Sequence, residues 1–254
     1  EVITGPSPIN WCETDYDYIN YPFGNLFAEY HNTITNIAYI ISAYYLFRFW
    51  YVKKTNITKI QSIIFLYYIF ALLLTGIFSG IFHATLIWGA QKLDEIFENC
   101  AVIALLHIGD INERNFTNKF INIIIHSISC ALGIWFIPTL FCEVHLLIIV
   151  LITVYRYASI TTEPKKTKKN IIISHIDTNN TNIIDINIEE RNRVYSAAKY
   201  ASIGFFLWLC DFIACEEFRL FYLHAYGWHL CTAKALYEAG LVMYYLLLTD
   251  LYKN

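Results

Sequence analysis

Five polar residues in this sequence have the types and positions needed for metal-assisted hydrolysis. Ser79 and His83 are spaced i, i+4, so they share one face of a helix. Asp94 follows His83 by eleven residues, and His224 and His229 lie near the end of the chain. Three neutral imidazoles can hold a zinc ion and leave one position open for water, while a nearby carboxylate moves the proton. The five residues therefore predict a catalytic zinc site, provided that the fold brings them together.

Each of these residues has a simpler interpretation when it is considered alone. A serine in a membrane helix often bonds back to its own backbone, and a carboxylate at a helix start is often a solvated cap. A single intramembrane histidine is more often bonded to a neighbouring backbone carbonyl than to a metal. We give that interpretation to His107, His126 and His145. The metal hypothesis for the other three histidines rests on the joint pattern.

The elements that must position these residues are helices in a membrane. Of the 254 residues, 57% are hydrophobic and only 15% are charged. An ordinary soluble domain carries about 25% charged residues, so this chain has too little polar surface to be covered by water. The net charge of -3 also excludes nucleic-acid binding driven by clustered Lys and Arg. The composition therefore predicts an all-α integral membrane protein.

The expected architecture is a seven-transmembrane helix bundle, because seven spans of about 20 residues use about 140 residues. We place the spans near 31–50, 60–81, 95–111, 119–138, 141–160, 194–215 and 224–249. The second span is the clearest, since residues 60–91 contain no Lys, Arg, Asp or Glu. The third is the weakest, because Asp94, Glu95 and Glu98 come just before a short uncharged stretch.

The basic residues predict the orientation of the bundle. Residues 1–30 contain five acidic residues and no Lys or Arg, whereas the loops expected on the other side are rich in both. Short basic loops stay in the cytosol, so residues 1–30 should form a non-cytosolic head and the C-terminus should be cytosolic. Residues 31–254 would be the membrane domain. Within it, the polar, low-complexity segment 163–192 is expected to be a disordered cytosolic loop.

Several short stretches match the motifs of a known family. They are Asn10-Trp11-Cys12-Glu13, Glu29-Tyr30-His31-Asn32-Thr33, Ser79-Gly80-Ile81-Phe82-His83, Leu93-Asp94-Glu95, Trp208 with Asp211 and Cys215, and His224 to His229. In the order of these motifs, and in the eleven-residue interval between His83 and Asp94, the chain resembles the alkaline ceramidases. These are seven-span lipid amidases that share a metal-site layout with membrane proteins of the adiponectin-receptor type. The resemblance covers nearly the whole chain.

The resemblance implies hydrolysis of the ceramide amide to a sphingoid base and a fatty acid, in a membrane of the endoplasmic reticulum or Golgi. Zinc would be held by His83, His224 and His229. Asp94 would act as base and then as acid, and Ser79 would stabilise the oxyanion. An apolar cavity between the spans would admit the lipid laterally from the bilayer.

The resemblance also assigns a calcium site to the head. Its ligands would be Asn10, the Trp11 carbonyl, Glu13, Asp15 and Glu29, which are hard oxygen donors of the kind that calcium prefers. Asn10 stands where the family has Asp, and Asp15 stands where it has Asn, so the charge of the ligand set is unchanged. The stretch between Asp15 and Glu29 is longer than is usual in the family.

The positions of the seven cysteines help to indicate which side of the membrane is oxidising. Cys12 and Cys215 both fall on the expected non-cytosolic side, where oxidation is possible in the secretory lumen, and the resemblance pairs them in a disulfide. Cys210 is the alternative partner. The cysteines within spans, Cys100, Cys130, Cys210 and Cys231, are interpreted as small buried hydrophobes. No C-x-x-C motif occurs, which excludes a thiolate zinc finger.

The last span contains the largest departure from the family. Two histidines expected at i, i+4 stand at i, i+5 in His224-Ala225-Tyr226-Gly227-Trp228-His229. In a regular α-helix they would point about 140° apart instead of about 40°. The sequence predicts either a π-type bulge around Tyr226-Gly227 or a helix that begins after His224. An unbroken α-helix would leave one of them unable to bind, with His31 as the substitute.

Two other function classes remain open at this point. One is a seven-span receptor that binds a lipid without turnover, for which Asp94→Asn should leave ligand binding nearly intact. The other is a metal or proton transporter, which should carry ionisable residues through the full depth of the membrane. Most of the ionisable residues here cluster at one level. Asp211, Lys234 and Glu238 are exceptions without an assigned role, although the last two can neutralise each other at i, i+4.

Overall fold

The computed structural model of the chain is a bundle of helices. It describes residues 5–7, 12–13, 26–110, 115–136, 139–162, 181–218 and 221–249. Numbered in chain order, the helices are α1 Tyr30–Thr35, α2 Ile37–Lys53, α3 Lys59–Thr85, α4 Trp88–Ile108, α5 Phe116–Phe136, α6 Thr139–Thr162, α7 Thr181–Ile213, α8 Cys215–Phe218, a π-helix Leu223–His229 and α9 Leu230–Thr249. Across these described ranges there is no β-strand, which confirms the all-α class.

Seven of these described helices, α2 to α7 and α9, have 17 or more residues. Two of them, α3 and α5, are long and apolar enough to cross a membrane, judged by length and composition alone. The bounds of α3, α5 and α6 follow the predicted spans closely. Helices α2 and α9 begin later than expected, since the separate helix α1 and the π-helix precede them, whereas α4 and α7 begin earlier than expected.

Helix α3 is the central helix of the bundle, and its sequence defines where it begins and how it packs. Thr58 and Gln61 form a capping box at its N-terminus. The Gln61 amide also donates a 2.7 Å hydrogen bond to the carbonyl of Leu247, which joins the start of α3 to the end of α9. Gly240 lets the two helices approach closely, because a Cβ there would lie 2.7 Å from the ring of Tyr68.

Helix α4 begins at Trp88, earlier than the expected span, so the acidic cluster lies inside the helix and not before it. Glu95 is buried, and its carboxylate accepts hydrogen bonds from Lys92 at 2.9 Å and from Gln91 at 2.7 Å. These partners supply the positive charge and the donors that the buried carboxylate requires. Local neutralisation therefore allows the helix to start before its charged residues.

Helix α7 begins at Thr181, so the prediction of a disordered loop is wrong for residues 181–192, which are helical. The rest of that predicted loop, residues 163–180, lies outside the described residues. The physical reason is an ionic network at the start of the helix. Arg193 contacts Glu189 at 2.5 Å and Glu238 at 2.8 Å, and Lys234 contacts Glu238 at 2.6 Å. Glu238 thus joins α7 to α9. The polarity of the local sequence does not reveal this contact.

Candidate metal centre

Three buried histidines meet at one end of the bundle. His83 lies in the last turn of α3, and His224 and His229 lie at the two ends of the π-helix. One ring nitrogen of each residue lies within 4.8 Å of those of the other two. The three residues are only 1%, 4% and 1% exposed. We call this group the metal centre, because three imidazole nitrogens this close to one another could hold a metal ion.

The π-helix explains how two histidines five residues apart reach one point. Hydrogen bonds in a π-helix run between residues i and i+5, so His224 and His229 share a face. The predicted π-type backbone is confirmed, and the alternative of a helix that begins after His224 is wrong. Tyr222 precedes the segment in the left-handed conformation, with φ 47°. At Gly227 a Cβ would lie 2.7 Å from the Cβ of Leu207 in α7, so only glycine fits.

The ring protons of two of the histidines are fixed by neighbouring side chains. His83 Nδ1 lies 2.5 Å from Glu29 Oε2, and a carboxylate can only accept, so this nitrogen carries the proton. His229 Nδ1 lies 2.8 Å from Thr35 Oγ1, whose own proton goes to the carbonyl of His31. Both rings therefore keep Nδ1 protonated and leave the lone pair on Nε2, as metal-ligating histidines do.

His224 is held through its backbone by Asp211, a residue whose role the sequence did not indicate. The Asp211 carboxylate in α7 is 2% exposed and accepts hydrogen bonds from the backbone amides of His224 and Cys12. Cys12 is in turn bonded to Cys215 in a disulfide, with the two Cα atoms 5.2 Å apart. Asp211 therefore ties the head and the π-helix to the same point of α7.

A pocket opens beside the three rings. Its acidic and hydroxyl lining residues are Thr75, Ser79, Asp94, Glu95 and Glu98, and its aromatic lining residues are Tyr39, Phe82, Trp208 and Trp228. The structure thus brings Ser79 and Asp94 to the same cavity as the histidines. Aromatic walls beside a polar end suit a substrate with apolar chains and a polar head.

The roles of three further residues in the site were not predicted from the sequence. Glu98 lines the cavity with Asp94, and their i, i+4 spacing was a signal that could have found it. Thr35 contacts His229 from a helix 194 positions earlier, a tertiary contact that no local pattern indicates. Glu29 was assigned only to calcium, yet one of its oxygens bonds to His83.

The head residues with described positions gather at the start of α1. Glu13 accepts hydrogen bonds from the backbone amides of His31 at 2.6 Å and Asn32 at 2.8 Å. Glu29 accepts a 3.0 Å hydrogen bond from the side-chain amide of Asn32. Both carboxylates therefore bond to Asn32, one through its backbone and one through its side chain. The other three expected calcium ligands, Asn10, Trp11 and Asp15, lie outside the described residues.

His107, His126 and His145 contact other side chains, so their interpretation as backbone-bonded residues is wrong. His107 Nε2 lies 3.2 Å from His126 Nδ1, and His145 Nδ1 lies 3.0 Å from Asn99 Oδ1. The local sequence cannot show this, because the three residues come from three different helices, α4, α5 and α6. We call them the second histidine cluster.

The fold and the site define an all-helical protein with a buried three-histidine centre beside an amphiphilic cavity. The family model described as Ceramidase matches residues 4–254 of this chain. The chain therefore belongs to the alkaline ceramidase family, as its motifs predicted.

Two relatives from Dictyostelium discoideum are similar to part of the chain. "Putative alkaline ceramidase dcd3A" is 29% identical over 118 residues, which are 41% of this chain and 38% of the relative. "Putative alkaline ceramidase dcd3B" is 29% identical over 133 residues, which are 45% of this chain and 44% of the relative. The matched stretches thus span less than half the length of either relative.

Proposed function

We propose that this protein is a membrane-embedded zinc amidohydrolase that cleaves the amide bond of ceramide and releases a sphingoid base and a fatty acid. The observation that carries the proposal is the meeting of His83, His224 and His229 at a cavity that Ser79 and Asp94 also line. Membership of the ceramidase family supports the substrate class.

The residues present fit a zinc ion. Nε2 of His83 and of His229 would bind it, together with one ring nitrogen of His224, because Glu29 and Thr35 occupy the Nδ1 atoms of the first two rings. When bound, zinc supplies a Lewis acid and brings the pKa of a coordinated water toward about 7. Neutral nitrogen donors are what such a site requires.

The cavity side chains supply the proton transfers. Asp94 accepts a proton from the attacking water and passes it to the amide nitrogen as the carbon–nitrogen bond breaks, so it ends the cycle as it began. The water oxygen becomes part of the fatty acid carboxyl group. The Ser79 hydroxyl donates to the carbonyl oxygen while negative charge develops there. Glu95 is bound by Lys92 and Gln91, which favours Asp94 as the base.

A membrane setting is supported by the exposed surface of α5. Five large apolar residues along this helix are 47–80% exposed, namely Ile121, Ile125, Ile128, Leu132 and Phe136. Such a continuous apolar face is unsuited to water and suited to lipid. We propose that all seven long helices cross a membrane of the endoplasmic reticulum or Golgi, with the head in the lumen. The disulfide between Cys12 and Cys215 favours this orientation, because the lumen is oxidising.

A calcium ion in the head would use the oxygens of Glu13 and Glu29, with Asn10, Trp11 and Asp15 completing the set. The hydrogen bonds that both described carboxylates accept from Asn32 support this assignment. Since Glu29 also bonds to His83, the head would act on the metal centre through this one carboxylate.

The test is release of sphingoid base from ceramide by detergent-purified protein, measured by mass spectrometry with metal analysis of the same samples. Wild type should release base and contain zinc, and Asp94→Asn should contain zinc but release almost none. Asp110→Asn is the matched control, because Asp110 pairs with Arg156 outside the cavity. If wild type binds ceramide and releases no base, a receptor is the better interpretation and the proposal fails.

A further inference from the structure

Glu98 lines the cavity beside the metal centre, and the proposed hydrolysis gives it no role. It is spaced i, i+4 from Asp94, so the two carboxylates lie on the same face of α4. Asp94 and Glu95 are both close enough to Glu98 to interact with it electrostatically. Glu98 thus adds a third acidic group to one wall of the cavity. The question is which chemical group it meets there.

The three carboxylates differ in their partners. Glu95 accepts hydrogen bonds from Gln91 at 2.7 Å and from Lys92 at 2.9 Å. Asp94 is the proposed base. Among the residues that the structure describes, Glu98 has no hydrogen-bond or ion-pair partner, although it is half-buried. A carboxylate accepts several hydrogen bonds, and a half-buried acceptor without a donor is costly. A donor on a bound molecule would offset that cost.

The position of Glu98 indicates which part of a lipid it meets. The three histidines lie at the end of the bundle where α3 ends and α4 begins. Along α4, Glu98 lies one turn beyond Asp94, about 6 Å farther from that end at 1.5 Å per residue. The amide that is cleaved must lie beside the metal centre. A lipid chain that enters the bundle from there therefore passes Asp94 first and Glu98 second.

A ceramide offers one suitable donor at that place. Its sphingoid base carries two hydroxyl groups, at C1 and C3, on either side of the carbon that bears the amide nitrogen. The C1 hydroxyl ends the head of the molecule, whereas the C3 hydroxyl lies between the amide and the long alkyl chain. The C3 hydroxyl is thus the donor on the chain side of the amide, which is the side where Glu98 lies.

We propose that Glu98 is a specificity-determining residue that accepts a hydrogen bond from the C3 hydroxyl of the sphingoid base. A cavity built to bond a substrate hydroxyl rejects the analogue that lacks it, because the acceptor is then left unpaired. The protein would therefore select N-acyl lipids with a hydroxyl group at C3. This inference rests on the proposed function, and it assigns Glu98 to substrate recognition and Asp94 to proton transfer.

The experiment compares kcat/KM for ceramide with that for its 3-deoxy and 1-deoxy analogues, which have the same acyl chain. Release of base by detergent-purified, zinc-loaded full chain is measured by mass spectrometry. Wild type should cleave the 3-deoxy analogue about 10- to 100-fold less efficiently than ceramide, the factor expected for one hydrogen bond to a charged group. Glu98→Leu should cleave the two with similar efficiency, because leucine cannot accept a hydrogen bond.

Two further variants make the comparison specific. Glu98→Gln keeps the shape and a neutral acceptor, so it should discriminate less than wild type, and it carries the test if Glu98→Leu fails to fold. Glu95→Gln is the matched control, because Glu95 lines the same cavity but is already bonded to Lys92 and Gln91. It should keep the wild-type ratio. The ratio of ceramide to the 1-deoxy analogue should be the same in all four proteins.

Binding without turnover separates this inference from the proposed hydrolysis. Asp94→Asn, alone and combined with Glu98→Leu, is titrated with ceramide and with the 3-deoxy analogue. Tryptophan fluorescence reports binding, since Trp208 and Trp228 line the cavity. The single variant should bind ceramide more tightly than the analogue, and the double variant should bind both equally.

The outcomes distinguish the two proposals. If wild type releases no base but the difference in binding depends on Glu98, the proposed hydrolysis fails and the recognition of the C3 hydroxyl stands. If wild type releases base and Glu98→Leu keeps the wild-type ratio of ceramide to the 3-deoxy analogue, the role of Glu98 is refuted and the hydrolysis stands. An equal loss of kcat for all three substrates in Glu98→Leu would also refute a role in specificity.

Discussion

The metal centre and the second histidine cluster each gather three histidines from different helical segments, yet the structure prepares them to different degrees. In the metal centre all three residues are at most 4% exposed, and a nitrogen of each lies within 4.8 Å of the other two. In the second cluster the rings are half-buried and only one pair is at close range. The metal centre thus brings three ring nitrogens together, whereas the second histidine cluster brings together one pair of rings with other side chains beside it.

The difference originates in the residues around the rings. Glu29 just before α1 and Thr35 in α1 fix two rings of the metal centre, and Asp211 fixes the backbone of His224 from α7. In the second cluster only Asn99 plays a comparable part. Catalysis requires ligands held in a productive geometry. The contrast therefore predicts that hydrolysis depends on the first group alone.

The largest effect should come from removing one ring from each group. His83→Ala should lower the release of sphingoid base to the detection limit, because two imidazoles cannot complete the zinc site. His107→Ala should retain release close to wild type, since His107 lies outside the cavity. Mass spectrometry of the products measures both. Substantial release by His83→Ala would place the reaction elsewhere.

Removal of the proposed catalytic base, Asp94, should have the next largest effect. Asp94→Asn should lower kcat by about 10²- to 10⁴-fold, because general acid–base catalysis contributes a factor of this size. Zinc content should be unchanged, since Asp94 lies outside the proposed ligand set. A variant with normal kcat and normal zinc would refute the role of Asp94 while leaving the metal site in place.

A smaller effect should follow from changing a residue that only orients a ligand. Thr35→Val should weaken zinc binding by about 10- to 100-fold, the usual range for partners of metal-ligating histidines. Valine keeps the shape of threonine but cannot accept the proton of His229 Nδ1. Thr33→Val is the matched control on the same helix, because the Thr33 hydroxyl bonds to the carbonyl of Glu29. Competition with a chelator measures both affinities, and equal values would contradict the proposed role.

The sequence predicted the parts of the fold that depend on local patterns. Helix α3 was placed at 60–81 and runs Lys59–Thr85, because a long uncharged segment follows a clear capping box at Thr58. The start of α4 was placed too late, since the neutralisation of Glu95 by Lys92 inside the helix offsets the charges that argued against it. Local polarity reveals where charges are, but not whether they are paired.

The candidate site was predictable in its ligands and not in their supports. His83, His224 and His229 could be named from residue type and family motifs, and the irregular spacing of the last two predicted either a π-type bulge or a helix that begins after His224, of which the structure has the first. Thr35 was not singled out and Asp211 was given no role, because their contacts join segments far apart in the chain. Tertiary contacts of this kind leave no periodic signal.

The last prediction concerns how the π-helix is kept in register. In Gly227→Ala the new Cβ would lie 2.7 Å from Leu207 Cβ and 2.8 Å from Leu207 Cδ1, so α7 and the π-helix must separate. Overpacking of this kind typically costs about 1–3 kcal/mol. Because His224 and His229 flank the glycine, the shift should also weaken zinc binding. Gly80→Ala is the matched control beside His83, since its nearest neighbour would be 3.9 Å away.

Leu207→Ala in the Gly227→Ala background tests the cause of that shift. Truncation of Leu207 removes its Cδ1 at 2.8 Å and its Cγ at 3.3 Å but keeps its Cβ at 2.7 Å, so zinc binding should recover only in part. Thermal unfolding of the same variants separates the alignment of the two histidines from the stability of the whole protein. Leu207→Ala also removes packing contacts, so it should lower the free energy of unfolding further. Recovery of zinc affinity without recovery of stability would assign Gly227 to the alignment of the two histidines. If zinc affinity and stability fall together, Gly227 acts only in packing, and its proposed role in aligning the two histidines is refuted.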